Sequence, residues 1–297
     1  MIDIQVIFDA GSTRDGKKLG ISMLSNSLLA EGADGLDADA ISNGFESLGA
    51  IYSSDVGHDT ASLHLRSLTE KELLEKAISN FKKVLSSPDF PNDAIERIRS
   101  QTLIGIKAKQ QSPGALAREA FMSALYQSHP YSKPSEGTET SIKAIKRSDI
   151  VSFYKKFYTT NNAMIAIVGA VDRETAESIA EGITGALQDG TKVDDLPAVE
   201  KLAKEQNIFI EYPSAQTHIL VGRRALKEVI QIIFHYMLVI IFWVAEGWYQ
   251  DYFPKLGKSV VYRTVHIAIF LQCYSRVLLL LASKQKRNKL TKRYLFC

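Results

Sequence analysis

A chain of 297 residues with 45% hydrophobic and 23% charged content can bury a sizeable core, and its length suits one large domain or two of ordinary size. The 36 Lys and Arg against 33 Asp and Glu leave a formal charge of +3, too small an excess to point to a nucleic-acid partner. Only two cysteines occur, Cys273 and Cys297, which excludes a disulfide framework or a Cys-rich metal centre in the main body.

The chain opens on Ile2, Ile4, Val6 and Phe8 in alternation with Asp3, Gln5 and Ile7, a strand pattern that runs into the turn residues AGSTRDGKK. Asp3 and Asp9 stand where a signal peptide needs a basic start and an unbroken apolar run, so the chain as written carries no export signal. A true start lying upstream stays open. A helix is expected over Leu19 to Leu29, closed by Glu31 and Gly32. The next helix, with Ile41, Phe45 and Leu48 at helical spacing, takes its cap from Asp37 or Asp39 and ends at Gly49. Ala50 to Val56 and Thr60 to Leu68 then form an antiparallel pair around the turn GHDT.

From Glu70 the pattern is helical for a long way. Leu73, Leu74, Ala77, Ile78, Phe81, Val84 and Leu85 make an apolar stripe that Pro88 and Pro91 end. Asn92 or Asp93 is expected to cap the helix through Ile95, Ile98 and Ile106, and Ser112 with Pro113 starts another. After the loop QSHPYSKPSEGTET, Ser141 and Ser148 are expected to cap two short helices. Met164 to Val171 is a buried strand, and Asp172 caps the helix after it. The whole is an α+β fold: a mixed, mainly antiparallel sheet packed against several helices over residues 1–188.

Residues 189–206 are polar enough for a linker. In 207–224, Asn207 to Tyr212 and Thr217 to Val221 have the pattern of strands opening a second domain, which is truncated or aberrant, because 225–297 is apolar and then basic. Val229 to Ala245 is almost wholly apolar, at the lower limit of the roughly 20 residues that a membrane span needs. Val260 to Ala282 is a second apolar stretch interrupted by Arg263, His266 and Arg276, and Lys284 to Arg293 gathers the basic excess. A buried helix, a membrane anchor and an out-of-frame segment beginning after Arg223 or Arg224 are each consistent with this tail.

The motifs FDAGSTRDGKKLGISMLSNSLLAEGA, FESLGAIYSSDVGHDTASLHLRSL, SSPDFP, IERIR, QSPGALA, HPYSKPSEGTETSIKAI, FYKKFYTTNNAMIAIVGAV and QTHILVGR, in this order, resemble the insulinase, pitrilysin and mitochondrial-processing-peptidase family over Ile2 to about Arg223. The resemblance implies a processing-peptidase-like domain. Active members carry H-x-x-E-H on the first helix, two His for one zinc and a Glu as general base, and a further Glu on a later helix. Laying that motif on Gly20 places the first His at Met23, the Glu at Asn26 and the second His at Ser27, with the third ligand near Gly105. A thioether, a carboxamide, a hydroxyl and a bare glycine cannot do that work. No catalytic, cofactor-binding or metal residue is therefore assigned, and no cofactor is expected.

An atypical zinc peptidase would have to draw on His58 and His64, with Asp55, Asp59 and His129 nearby. Strand parity puts the first two on one face only if the turn keeps register, and His scattered over polar loops is the commoner arrangement. Ser25 and Ser27 have no His at local spacing, and neither cysteine lies in a catalytic setting. The resemblance implies instead a ligand-free half that encloses peptide together with a zinc-bearing subunit, the family's clamshell having zinc in one half only. A structural subunit and an incomplete gene product are the alternatives. Relatives with paired subunits occur in the bacterial periplasm and in mitochondria, and Val229 to Ala245 adds the membrane as a further expected contact.

Overall fold

The computed structural model describes residues 1–200 and 202–222, together with the backbone of 265–272 and 276–286. The chain separates into two units, Met1–Gln111 with Ser128–Val199 and Ser112–Gln127 with Glu200–Cys297. In chain order the elements are β1 (Ile2–Phe8), α1 (Ile21–Ser27), β2 (Gly32–Ala33), β3 (Leu36–Asp37), α2 (Ala38–Glu46), β4 (Ile51–Val56), β5 (Ala61–Ser67), α3 (Lys71–Ser86), α4 (Asn92–Gln110), α5 (Pro113–Tyr126), α6 (Glu139–Ala144), α7 (Arg147–Phe157), β6 (Ala163–Gly169), α8 (Arg173–Thr184), β7 (Gln216–Val221), β8 (Val265–Gln272) and β9 (Arg276–Lys286).

The first unit is built on a four-stranded antiparallel sheet in the order β4-β5-β1-β6. Strand parity sends Ile2, Ile4, Val6 and Phe8 of β1, with Ala61, Leu63 and Leu65 of β5, to one face, where all seven are fully buried. Leu24 and Leu28 of the α1 segment, Ala77 and Phe81 of α3, and Ile150 and Phe157 of α7 join the same core. The other face of the sheet is open. This is the expected α+β architecture with its helices on one side.

Several local expectations are corrected. α1 ends at Ser27, shorter than Leu19 to Leu29, and a two-residue ribbon of β2 and β3, absent from the sequence pattern, follows it. Asp37 is the cap of α2, its carboxylate 2.8 Å from the Ala40 amide. Pro91, rather than Asn92 or Asp93, stands at the N-cap of α4. Thr138, not Ser141, caps α6: Ser141 is the third helical residue, and the two side chains each accept the other's backbone N–H. Lys146 rather than Ser148 holds the N-cap position of α7.

The polar stretch after α8 lies along the first unit. Asn161 donates to the Gly190 carbonyl, Arg14 Nη1 to Asp194 O at 2.8 Å, and His129 Nε2 lies 3.0 Å from Pro197 O. In the second unit α5 starts at its Ser112 cap and packs against β7, which pairs with β9, and β9 with β8. Asn207 to Tyr212 is not a strand: no described residue pairs with it, and Phe209 is 86% exposed. The run Ile208-Phe209-Ile210 is apolar and β-prone, but a strand also needs a partner's backbone. Much of Val260 to Ala282 falls in β8 and β9, so those residues are strands and not a helix. Val229 to Ala245, Arg223, Arg224, Cys273 and Cys297 lie outside the described residues, as do residues 287–293 of the basic cluster. Among the described residues no helix is long and apolar enough to cross a membrane.

Phe8 has no exposed surface, and its ring centroid is 4.7 Å from that of Tyr158. Phe8→Ala should destabilise the protein by about 3 to 5 kcal/mol in urea unfolding, the usual cost of an aromatic cavity.

Candidate functional site

α1 is the element on which the metal motif would stand, and its start is fixed by two glycines and a carboxylate. Gly20 has φ of 89°, and a Cβ there would come within 2.5 Å of Ile142 Cδ1 and 2.7 Å of Glu136 O. Gly137 faces it with φ of 81°, and a Cβ there would run into the Leu19 carbonyl. Ser141 Oγ then donates to Leu19 O at 2.7 Å. Asp15 reaches forward to cap the helix, its two oxygens accepting from the Gly20 amide at 2.6 Å and the Ser22 amide at 3.0 Å. Burial pushes the Asp15 carboxyl up to about 6, outweighing the two amides and the Ser22 hydroxyl that pull it down.

Along α1 the three substituted positions meet different surroundings. Met23 is half-buried and packs on the core, Ser27 is exposed, and Asn26 is only 3% exposed. Asn26 is held at both ends: its Nδ2 donates to the Asp55 carbonyl of β4 at 3.2 Å, and its Oδ1 accepts from Tyr158 Oη at 3.0 Å. Tyr158, immediately after α7, is itself buried between Phe8 and Tyr154, and that burial raises its hydroxyl well above the usual phenol range. Gly105 lies on the exposed side of α4, which packs against α1, and a Cβ there would meet nothing within 4 Å. These four residues do not fit zinc. They offer no imidazole and no carboxylate, and the one carboxamide is engaged at both ends.

The alternative ligand set does not assemble as supposed. His64 stands on the open face of the sheet, its Nε2 3.0 Å from Asp3 Oδ1, and Arg66 Nε donates to the same oxygen at 2.7 Å. His58 is in the turn before β5, with its Nδ1 3.1 Å from Ser12 Oγ and its ring edge-on to Tyr131. Asp59 accepts from Tyr131 Oη at 2.7 Å, and His129 packs on the same ring with its Nδ1 accepting the Tyr131 amide at 3.2 Å. The structure thus brings His58, Asp59 and His129 around Tyr131 and leaves His64 apart. Asp55 takes part through its backbone carbonyl. Among the described residues no group of three or more His, Cys, Asp or Glu side chains is placed to hold a metal ion. The Gly11, Ser12 and Thr13 amides donate to the carbonyls of Asp59, Gly57 and His58, so the loop after β1 packs on the turn before β5.

Tyr158 and Asp15 are the residues that sequence reasoning passed over. Each lies far in sequence from, or just ahead of, the partner it serves, and neither belongs to a motif with a chemical signature.

Residues 2–139 match the insulinase family (peptidase family M16), and residues 144–234 match the peptidase M16 inactive domain, a match that continues past Arg223. An uncharacterized zinc protease of Rickettsia felis is 26% identical over 222 residues, 74% of this chain and 53% of that protein. A non-peptidase homolog, YmxG, of Helicobacter pylori is 27% identical over 159 residues, 54% of this chain and 36% of that protein. The chain thus spans about half the length, or less, of these curated relatives. The crystal structure of a peptidase M16 inactive domain from Pseudomonas fluorescens superposes with a TM-score of 0.85 at 30% identity, covering 96% of this chain and 69% of that one.

Tyr158→Phe should cost about 1 to 3 kcal/mol by leaving the buried Asn26 Oδ1 without a donor, and less than about 1 kcal/mol in an Asn26→Leu background. Equal costs in both backgrounds, measured by urea unfolding, would remove Asn26 from this account. Folding raises the Asp15 pKa from 3.8 to about 6, so the folded state binds that proton more tightly than the unfolded chain. Its contribution to stability is whole below pH about 4 and is lost as the pH rises through about 6. The stability of the wild type relative to Asp15→Asn should fall by roughly 3 kcal/mol over that window. A difference that stays flat with pH would show that the carboxyl is not buried as described.

Proposed function

The chain belongs to the insulinase family of peptidases, M16, and on that premise we propose that it is a non-catalytic member that binds or encloses peptide together with a zinc-bearing partner of the same family. The observation that carries this reading is Asn26. Laid on the family motif it falls where the general base stands, and it is closed into the interior between Tyr158 and the Asp55 carbonyl. Met23, Ser27 and Gly105 at the ligand positions point the same way. A non-peptidase homolog among the relatives supports it.

No observation favours the atypical zinc peptidase. His64 is paired with Asp3, away from His58, and the histidine that does join His58 engages a backbone amide and a carbonyl. What this half would contribute is therefore a surface that positions a polypeptide, with the hydrolysis performed elsewhere.

The purified chain should carry far less than one zinc per molecule by elemental analysis and leave unstructured peptides uncut. A zinc-bearing family member from the same genome, co-expressed with it, should co-purify and cleave faster than when expressed alone. Stoichiometric zinc together with chelator-sensitive cleavage by the isolated chain would overturn the proposal, and so would a zinc-bearing homologue whose rate is indifferent to this chain.

A further inference from the structure

Between α8 and β7 the first unit holds a length of chain that has no secondary structure of its own. Residues 189–199 form no helix or strand, yet donors from the unit reach their main-chain carbonyls along the whole stretch. The Thr160 amide donates to Gln188 O at 3.0 Å, the Asn161 carboxamide to Gly190 O, and Arg14 Nη1 to Asp194 O at 2.8 Å. His129 Nδ1 accepts the Tyr131 amide, which leaves the ring hydrogen on Nε2, 3.0 Å from Pro197 O. Gly190 is seated so closely that a Cβ would come within 2.5 Å of Thr159, itself only 1% exposed. Leu187 and Val199 are buried at the two ends and Val193 packs on the core between them, while Lys192, Asp194 and Asp195 are exposed.

We propose that residues 188–199 are a strap that unclasps from the first unit as one piece, with the sheet and its helices still folded, so that the chain path from α8 to β7 switches between a taut form and a slack one. Apart from the single bridge between Thr159 and Gln188, the strap takes part in no ladder, and side-chain donors hold it by its carbonyls. A segment with few buried apolar contacts and bonds of this kind opens at a lower free energy than the elements it lies on. On opening, the carbonyls and their donors exchange these bonds for bonds to water, and the burial of Val193 and Val199 is the main apolar contact given up. Each clasp is one hydrogen bond, so the loss of one shifts the balance by roughly tenfold or less.

The test is limited trypsin digestion of the full chain under native conditions, read by mass spectrometry at Lys192, inside the strap, and at the exposed Lys204, beyond it. Each rate is divided by that of a free peptide of the same local sequence, and cleavage at a site that opens reversibly then follows the open population. Lys192 should be cut about tenfold or more slowly than Lys204 on this scale. Gly190→Ala, which drives a Cβ into Thr159, should raise the Lys192 rate by about tenfold or more, and Asn161→Ala by roughly three- to tenfold. Asp195→Ala should leave it unchanged. Cleavage at Lys76 on α3 and Arg97 on α4 should keep its wild-type rate in both variants, which separates a lifted strap from a lost fold. Equal corrected rates at Lys192 and Lys204 in the wild type would overturn the proposal, because no clasp would then exist. So would variants that leave Lys192 as slow as before, and so would a rise at Lys76 and Arg97 equal to that at Lys192, because the stretch would then open only with the whole unit.

Discussion

The buried hydrogen bond from Tyr158 to Asn26 is the constraint on which the first unit depends. Through it α1 is tied to the end of α7, 132 residues away in sequence, and through Asn26 Nδ2 it is tied to β4, so three separate segments share one polar node. A glutamate at position 26 would bring a carboxylate into a space where Tyr158 could donate to it but the Asp55 carbonyl could only repel it. An asparagine satisfies both neighbours, because its carboxamide offers an acceptor to the phenol and a donor to the carbonyl. The asparagine at this position and the closure of the interior around it are therefore one structural fact, not two.

The supports of α1 have the same character. Gly20 and Gly137 allow two backbones to approach where any side chain would collide, and the Asp15 carboxylate answers the amides that a short helix leaves open. Further along, Arg99 donates to the carbonyls of Ile142 and Ile145, and Arg147 to those of Asp89 and Phe90, so long loops are held by single guanidinium groups reaching backbone. The helix is held in place by these backbone contacts and the Asp15 carboxylate.

The two faces of the sheet differ in character. One is a dry core of aliphatic and aromatic side chains under the helices. The other is open, with exposed apolar groups at its margins and the Asp3, His64 and Arg66 cluster between them.

The amino-acid sequence alone determined a good deal. Alternation in Ile2 to Phe8 and in Ala61 to Ser67 set the strands, the stripe from Leu74 to Leu85 set α3, and Asp37, Ser112 and Asp172 marked helix starts, because these are local signals with a period or a cap. The identities of Met23, Asn26, Ser27 and Gly105 were likewise legible, and so was the absence of imidazole and carboxylate among them. Only the tertiary structure decided that Asn26 is sealed by Tyr158, that Asp15 rather than a neighbouring residue caps α1, that His58 joins His129 at Tyr131 while His64 joins Asp3, and that Asn207 to Tyr212 forms no strand. Each of these depends on which distant backbone or side chain arrives beside a residue, and no periodicity or spacing within a segment carries that information.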